Sequence, residues 1–304
     1  MSEAARGDTY QTVTDRIVAA IEAGAGNWRM PWHVKSDGTM PAVPVNAASG
    51  KPYRGVNVLA LWIAAEAAGY PSGRWATYRQ WTELGAQVSK GEKSTFVVFW
   101  KVLADQKAED DSDDDAEGGG RRMMARGYHV FNAAQVEGAA MPEPAPVAPE
   151  ADRIAEAEAF FGALGADIRH GGNRAYYAPG PDYVQMPPFA AFENPIAYYA
   201  TLAHEGGHWT GHKARCARDF SGRFGTEAYA LEELVAELTA AFVCGDLGLA
   251  SEPRPDHAAY IASWLKVLKN DKRAIFTAAS KAQQAADWMH GCQPLAAEEE
   301  RDAA

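Results

Sequence analysis

The feature that most constrains this chain of 304 residues is a pair of histidines four positions apart, within LAHEGGHWTGH at residues 202–212. Four residues make about one helical turn, so His204 and His208 face the same side if this stretch is an α-helix. Two imidazoles so placed are typical zinc ligands, and Glu205 beside them is typical of a general base. The stretch therefore predicts a helix that holds zinc or another divalent metal. The alternative is a polar helix face that matches the pattern by accident.

A zinc site needs at least one more protein ligand. His212 lies eight residues after His204, about 12 Å along a helix, so we expect it beside the metal ligands or at the end of the helix rather than on the ion. The next predicted helix carries Glu233 and Glu237 four residues apart, among Leu, Val, Ala and Phe. We expect Glu233 to bind the metal and Glu237 to orient a ligand histidine, unless this helix face is simply solvated.

Two glycines, Gly206 and Gly207, lie inside the motif. Glycine costs a helix about 1 kcal/mol per residue, so we expect this helix to be locally loose. The residue that would stabilise a developing oxyanion stays open. The candidates, each as well suited to the core, are Tyr199, Tyr229, His257 and Tyr260.

Composition indicates a globular chain, with 47% hydrophobic residues and enough length for two domains. No apolar run is long enough to span a bilayer, and the N-terminus lacks the pattern of a signal peptide. The three cysteines are scattered, which argues against a disulfide framework. We therefore expect a cytoplasmic protein with no membrane partner.

A stretch rich in Pro and Ala at residues 138–150 predicts a linker between two domains, residues 1–137 and 151–304. The predicted fold class is α+β, with an N-terminal α+β domain followed by a mainly helical domain that contains a small sheet. The predicted helices are residues 9–24, 58–68, 152–164, 193–212, 226–245, 256–269 and 271–290.

Two stretches rich in β-branched and aromatic residues, 94–103 and 122–131, predict a long hairpin in the first domain. Between them, residues 105–120 hold eight acidic residues and one lysine, and we expect this tip to be disordered. In the second domain, short strands are predicted around 174–177 and 182–186.

Six of the nine tryptophans lie in the first 100 residues, interleaved with arginines and lysines. Aromatic rings stack on unpaired bases and cations follow phosphates, so the pattern favours a single-stranded DNA partner. The alternative is that these tryptophans are core residues. Trp28, Trp32 and Tyr53, in predicted loops, are the expected stacking residues. The full set of DNA-binding candidates is Trp28, Arg29, Trp32, Lys51, Tyr53, Arg54, Asn57, Arg74, Trp75 and Arg79.

Long strings of this sequence resemble the ArdC-type antirestriction proteins of conjugative plasmids. Those that resemble the family's single-stranded-DNA-binding domain are WRMPW (28–32), KPYRGVN (51–57) and WATYRQ (75–80). Those that resemble its zincin-like metallopeptidase domain are YYATLAHE (198–205), YALEELVAE (229–237) and HAAYIASWL (257–265). The resemblance implies a protein that protects incoming plasmid DNA from restriction. If its zincin-like domain is an active peptidase, the candidate substrate is a protein on DNA or in the restriction system.

Three functions therefore compete. The first is a zinc peptidase that acts near bound single-stranded DNA. The second is a protein that coats single-stranded DNA and keeps a structural or vestigial metal site. The third is an acidic mimic of DNA, which the net charge of -11 invites. Much of the negative charge, however, lies in residues 105–120 and the C-terminal tail rather than along a patterned surface.

Overall fold

The computed structural model describes residues 8–25, 43–102, 123–138, 150–220, 222, 226–249 and 257–294. Helices and small sheets build two α+β domains, which confirms the predicted fold class. The acidic run at 105–120 and most of the predicted linker at 138–150 lie outside the described residues. The domain boundaries themselves stay a prediction.

The first domain packs helices against a four-stranded sheet. Its helices are α1 (Thr9–Ala25), α2 (Val56–Ala68) and α3 (Tyr78–Glu83), and its strands are β1 (Val45–Asn46), β2 (Arg74–Thr77), β3 (Gln87–Val88), β4 (Thr95–Val102), β5 (Met123–Asn132) and β6 (Val136–Glu137). The sheet order is β1-β2-β5-β4, in which only β1 and β2 are parallel. Strands β4 and β5 pair from Thr95↔Val130 to Val102↔Met123, which confirms the predicted hairpin.

Buried apolar residues explain how this domain holds together. On α1, Val13, Ile17 and Ile21 recur every four residues and are all buried, as an amphipathic helix requires. Trp75 on β2 and Trp81 on α3 are both almost fully buried, and the Trp81 indole donates a hydrogen bond to a backbone carbonyl of β5. These two tryptophans therefore belong to the core.

The second domain is mainly helical. Its helices are α4 (Glu150–Ala163), α5 (Pro195–Thr210), α6 (Glu227–Asp246), α7 (His257–Asn270) and α8 (Ala274–Gly291), and its strands are β7 (Asp167–His170), β8 (Tyr176–Ala178) and β9 (Tyr183–Met186). The strand order is β7-β9-β8, so β8 lies at an edge of this sheet. Strand β7 was not among the predicted strands. Across the described ranges, no helix has the length and apolar character needed to cross a membrane.

The two domains meet along their helices, α1 against α7 and α2 against α8. The Thr14 hydroxyl donates a hydrogen bond to the Lys272 carbonyl at 2.7 Å, and Lys269 pairs with Glu22 at 2.5 Å. Helix α8 also packs against α5 and α6. It therefore contacts both the first domain and the helix with the histidine motif.

Candidate metal centre

Helix α5 presents the two motif histidines on one side. The Asn194 side chain accepts a hydrogen bond from the Ala197 amide, and a proline occupies the first turn, so the start of the helix is well defined. The helix continues without a break through the motif. As a result, the His204 and His208 rings lie with their centroids 5.0 Å apart.

Helix α6 brings a carboxylate to these rings. Glu233 Oε2 lies 3.5 Å from His204 Nε2, and Glu233 Oε1 lies 3.6 Å from His208 Nε2. Donor atoms around a tetrahedral zinc ion, at bond lengths of about 2.0–2.1 Å, lie roughly 3.3–3.4 Å apart. The three residues thus form a donor set, all within 4.8 Å, that fits a divalent metal. Glu205, next to His204, is buried and lines the same cavity.

Glu237 lies behind the first histidine. Its Oε2 is 3.5 Å from His204 Nδ1, the nitrogen that faces away from Glu233. A carboxylate at that nitrogen fixes the tautomer and the orientation of a metal-binding imidazole. This placement distinguishes the two glutamates that the sequence left open: Glu233 faces the nitrogens on the cavity side, and Glu237 faces the other nitrogen of His204.

The second histidine has a partner of its own. His208 Nδ1 donates to Glu232 Oε1 at 3.2 Å. The Arg218 guanidinium donates to both oxygens of Glu232, at 2.8 and 2.9 Å, and to the Thr210 hydroxyl, and its side chain is only 3% exposed. Sequence reasoning missed Arg218 because it lies in an irregular segment, where no periodicity indicates its neighbours.

The carboxylates of Glu232 and Glu233 favour positive charge at the two histidines. Burial alone would lower the pKa of His208, but contacts with Glu232 and Glu233 raise it to about 10. Burial would raise the pKa of Glu233, yet contacts with His204 and His208 hold it well below its ordinary value. The Glu232 pKa is also lowered, because its bonds to His208 and Arg218 outweigh burial. Such a site attracts a proton or a divalent cation.

A cavity of about 610 Å³ opens onto the donor atoms. Edge strand β8 and the Tyr229 and Tyr260 side chains line it together with the motif residues. The Tyr229 and Tyr260 hydroxyls are 3.2 Å apart. Burial, with hydrogen bonds to Tyr260 and Glu233, raises the pKa of Tyr229, so its hydroxyl stays protonated and able to donate. Of the other two candidates for oxyanion stabilisation, Tyr199 stacks on Phe161 in the core, and His257 has a side chain that the structure does not describe.

The two motif glycines allow close packing. A Cβ at position 207 would lie 3.0 Å from the Ala236 Cα and 3.2 Å from the Thr239 Cβ on α6. At position 206 it would lie 3.1 Å from the Met289 Cε on α8. The expectation of a locally loose helix is therefore wrong, because both glycines sit in a continuous helix held by direct contact with its neighbours.

His212 stands apart from the donor set. It follows Gly211, the C-terminal cap of α5, and its Nδ1 lies 3.8 Å from Asp182 Oδ2. The same Asp182 carboxylate accepts hydrogen bonds from Arg215 and Tyr177. His212 thus lies at the end of the helix, one of the two places expected for it, and in this polar cluster rather than beside the metal ligands.

Three of the proposed DNA-binding residues are buried, so those assignments are wrong. Tyr53 is 5% exposed and Trp75 is 1% exposed, which leaves no ring face for a base. Asn57 is also buried, and its side-chain amide bonds the backbone of Val98 in both directions, at 2.7 and 2.8 Å. These side chains stabilise the fold of the first domain.

Four of the other seven candidates, Lys51, Arg54, Arg74 and Arg79, lie among the described residues. Trp28, Arg29 and Trp32 lie outside the described residues. Arg79 is exposed and pairs with Glu83 on its own helix, while Arg54 pairs with Asp287 on α8. Lys51 is exposed and Arg74 is half-buried.

Comparison with known proteins places both halves of the chain in known families. Residues 7–131 match the family described as the N-terminal domain of anti-restriction factor ArdC. Residues 155–281 match the family described as zincin-like metallopeptidase. Together the two matches cover most of the chain.

Individual relatives extend over almost the whole chain. The uncharacterized protein y4eC of Sinorhizobium fredii is 58% identical over 288 residues, which cover 94% of this chain and 92% of the relative. A DNA primase TraC of Escherichia coli is 35% identical over 292 residues, and there the match spans only 27% of the primase.

Solved structures agree with these matches. The antirestriction ArdC protein from the R388 plasmid is 44% identical, with a TM-score of 0.76, and the match covers 94% of this chain and 98% of that one. It has been solved metal-free and with Mn(II) bound. From its sequence, its two domains and its fold, the chain belongs to the ArdC family of antirestriction proteins.

Proposed function

We propose that this protein is a zinc-dependent peptidase that acts near single-stranded DNA and protects the incoming DNA of a mobile element from restriction. The observation that carries the proposal is the donor set of His204, His208 and Glu233, with Glu205 in the same cavity. Two imidazoles and one glutamate carboxylate are the ligand set of zinc peptidases with the His-Glu-x-x-His motif.

The choice of zinc rests on ligand chemistry. Nitrogen donors suit zinc well, whereas magnesium and calcium prefer oxygen ligands. The R388 relative has been solved with Mn(II) bound, which supports a divalent metal. A metal titration of the purified protein separates zinc from manganese.

In the proposed reaction each side chain has a distinct task. A bound zinc ion would lower the pKa of a water molecule and polarise a peptide carbonyl. The Glu205 carboxylate accepts the proton from the attacking water and delivers it to the leaving amine. The Tyr229 hydroxyl, which keeps its proton, donates a hydrogen bond to the developing oxyanion. Glu237 and Glu232 hold His204 and His208 in place.

The cavity argues against a purely structural metal site. Structural zinc sites usually have four protein ligands, while catalytic sites have three and an open position. Within the described part of the chain, three residues make up the donor set, and a cavity of about 610 Å³ adjoins them. These two features favour catalysis over a role in which the protein only coats DNA.

The DNA-binding part of the proposal rests on the first domain. This domain matches the N-terminal domain of an antirestriction factor, which supports an interaction with DNA. Trp28, Arg29 and Trp32 remain candidates for contact with single strands, and the exposed or half-exposed cations of this domain are candidates for phosphate contact. Those cations are Lys51, Arg54, Arg74 and Arg79.

The test is a Glu205→Gln variant, which removes the base and leaves the three ligands. We expect it to bind one zinc ion per chain and to bind single-stranded DNA as the wild type does, but to lose protection of an unmodified plasmid entering a restricting recipient. Glu156→Gln, an exposed change on α4, is the matched control. Full protection by zinc-loaded Glu205→Gln would show that peptidase chemistry is not needed and would favour DNA coating.

A further inference from the structure

A second cavity lies between the two domains, away from the donor set. Its volume is about 710 Å³, within the usual range of about 300–1,000 Å³ for ligand sites. The first domain contributes Tyr10 on α1, Val98 on β4, and residues 54–57 at the start of α2. The second domain contributes the face of α8 that includes Arg273, Lys281 and Asp287. We refer to this cavity as the interdomain groove.

The lining of the interdomain groove is positively charged in a chain whose net charge is -11. Three cations face it, Arg54, Arg273 and Lys281, against the single carboxylate of Asp287, which pairs with Arg54. The Arg273 guanidinium lies 5.1 Å from the centre of the Tyr10 ring. Lys281 makes no ion pair with any residue that the structure describes. Two positive charges are therefore left for an anion.

The rest of the lining suits a phosphodiester. Helix α2 begins at Val56, so the positive end of its dipole points to the groove. The exposed side of α8 adds hydroxyl and amide groups, and Gln283 Oε1 already accepts a bond from the Gly55 amide at 3.0 Å. Such groups, with Arg and Lys, make most protein contacts to nucleic-acid phosphates.

We propose that the interdomain groove binds the backbone of single-stranded DNA, a proposal that rests on the proposed function. The strand then contacts both domains rather than the first domain alone. Helix α8 has the groove on one side and α5 and α6 on another. Met289 of α8, two residues after Asp287, meets the motif helix at Gly206. Bound DNA thus lies one helix away from the metal centre.

The test compares Lys281→Ala and Arg273→Ala with Lys266→Ala in the full-length protein. Lys266 is an exposed lysine on α7 outside the groove, so it is the matched loss of one charge. Fluorescence anisotropy gives the affinity for a labelled oligothymidylate across a series of salt concentrations. Each lost phosphate contact should reduce the slope of log K against log salt by about 0.7, which is about a fourfold weaker affinity at about 0.15 M salt. Lys266→Ala should match the wild type.

Three results would overturn the proposal. If the wild type binds the oligonucleotide and both groove variants keep its affinity and slope, the groove is not the site, while single-strand binding stands. If the wild type does not bind it, the groove and the DNA part of the proposed function fall together. If thymidine monophosphate displaces the oligonucleotide at equal phosphate concentration, the groove binds free nucleotides instead.

A photocrosslink provides a readout that does not depend on variants. An oligothymidylate with photoreactive bases, bound to the wild-type protein, should modify peptides that contain α8 of the second domain. Adducts found only in peptides outside the groove would contradict the placement. Circular dichroism checks that each variant keeps its fold.

Discussion

The contact between Glu232 and His208 gives the most demanding prediction. In a Glu232→Gln variant the amide can still face the His208 ring, but it no longer carries the charge that fixes the ring and raises its basicity. Loss of such a partner lowers metal affinity about 10- to 100-fold, or about 1.4–2.8 kcal/mol. We expect zinc affinity, measured by competition with a chelator, to fall within this range.

The same change also affects folding, and the two effects can be separated. Arg218 is almost fully buried and loses its counter-charge, which costs about 3–5 kcal/mol for a broken buried pair. We expect a cost near the lower end of this range, because the Thr210 hydroxyl and the Gly207 carbonyl still accept hydrogen bonds from Arg218. Urea unfolding in the presence of a chelator measures this loss without the metal.

A double variant, Glu232→Gln with Arg218→Met, tests the reasoning further. Removing the buried cation should restore part of the lost stability, since no uncompensated charge then stays buried, although the Thr210 hydroxyl and the Gly207 carbonyl lose their donor. Zinc affinity should stay low, because His208 still lacks its carboxylate. Glu83→Gln, which breaks an exposed pair with Arg79, is the control and should change stability by less than about 0.5 kcal/mol. Zinc affinity of Glu232→Gln within twofold of wild type would refute the role of Glu232.

Three further predictions concern the metal, the DNA and the acidic run. The pKa of His208 is raised to about 10, and an imidazole must be neutral to bind a metal. Zinc binding at about pH 7 should therefore release a proton, and zinc affinity should rise with pH up to about 10. Calorimetry in two buffers of different ionisation enthalpy measures the proton release. Replacing Trp28 or Trp32 by alanine should weaken single-strand binding by ~1–3 kcal/mol each, and unchanged affinity in a folded variant would place them in the core. Deletion of residues 105–120 should leave protection in a restricting recipient intact, and lost protection would revive the DNA mimic.

Local spacing made much of the metal site predictable. The four-residue period of a helix was enough to predict that His204 and His208 face the same side. The bounds of the helix follow from apolar spacing and from caps such as Asn194. Glu233 was predictable because it lies on a second apolar helix. The choice between Glu233 and Glu237 depended on which ring nitrogen each one faces, and that is a property of packing between helices.

The DNA-binding candidates were harder to predict for a physical reason. A tyrosine beside basic residues looks exposed in sequence, but Tyr53 is fixed by hydrogen bonds between its backbone and hydroxyl groups and the chain near β1 and β2. Strands of two residues, such as β1 and β3, are too short to produce a periodic pattern. Arg218 contacts Glu232, which lies 14 positions further along the chain. Long-range contacts decide each of these cases.

Transplanting this site into another protein would require more than its donor atoms. The formula His-Glu-x-x-His leaves two positions unspecified, but here neither position has room for a methyl group without a shift of its neighbours. Ala236, which meets Gly207, lies one turn after Glu233 on the same helix, so a side chain at 207 would press on the helix that carries the third ligand. The smallest portable unit is therefore a pair of helices in contact at glycine, and a search by motif alone would accept hosts that cannot bring the ligands together.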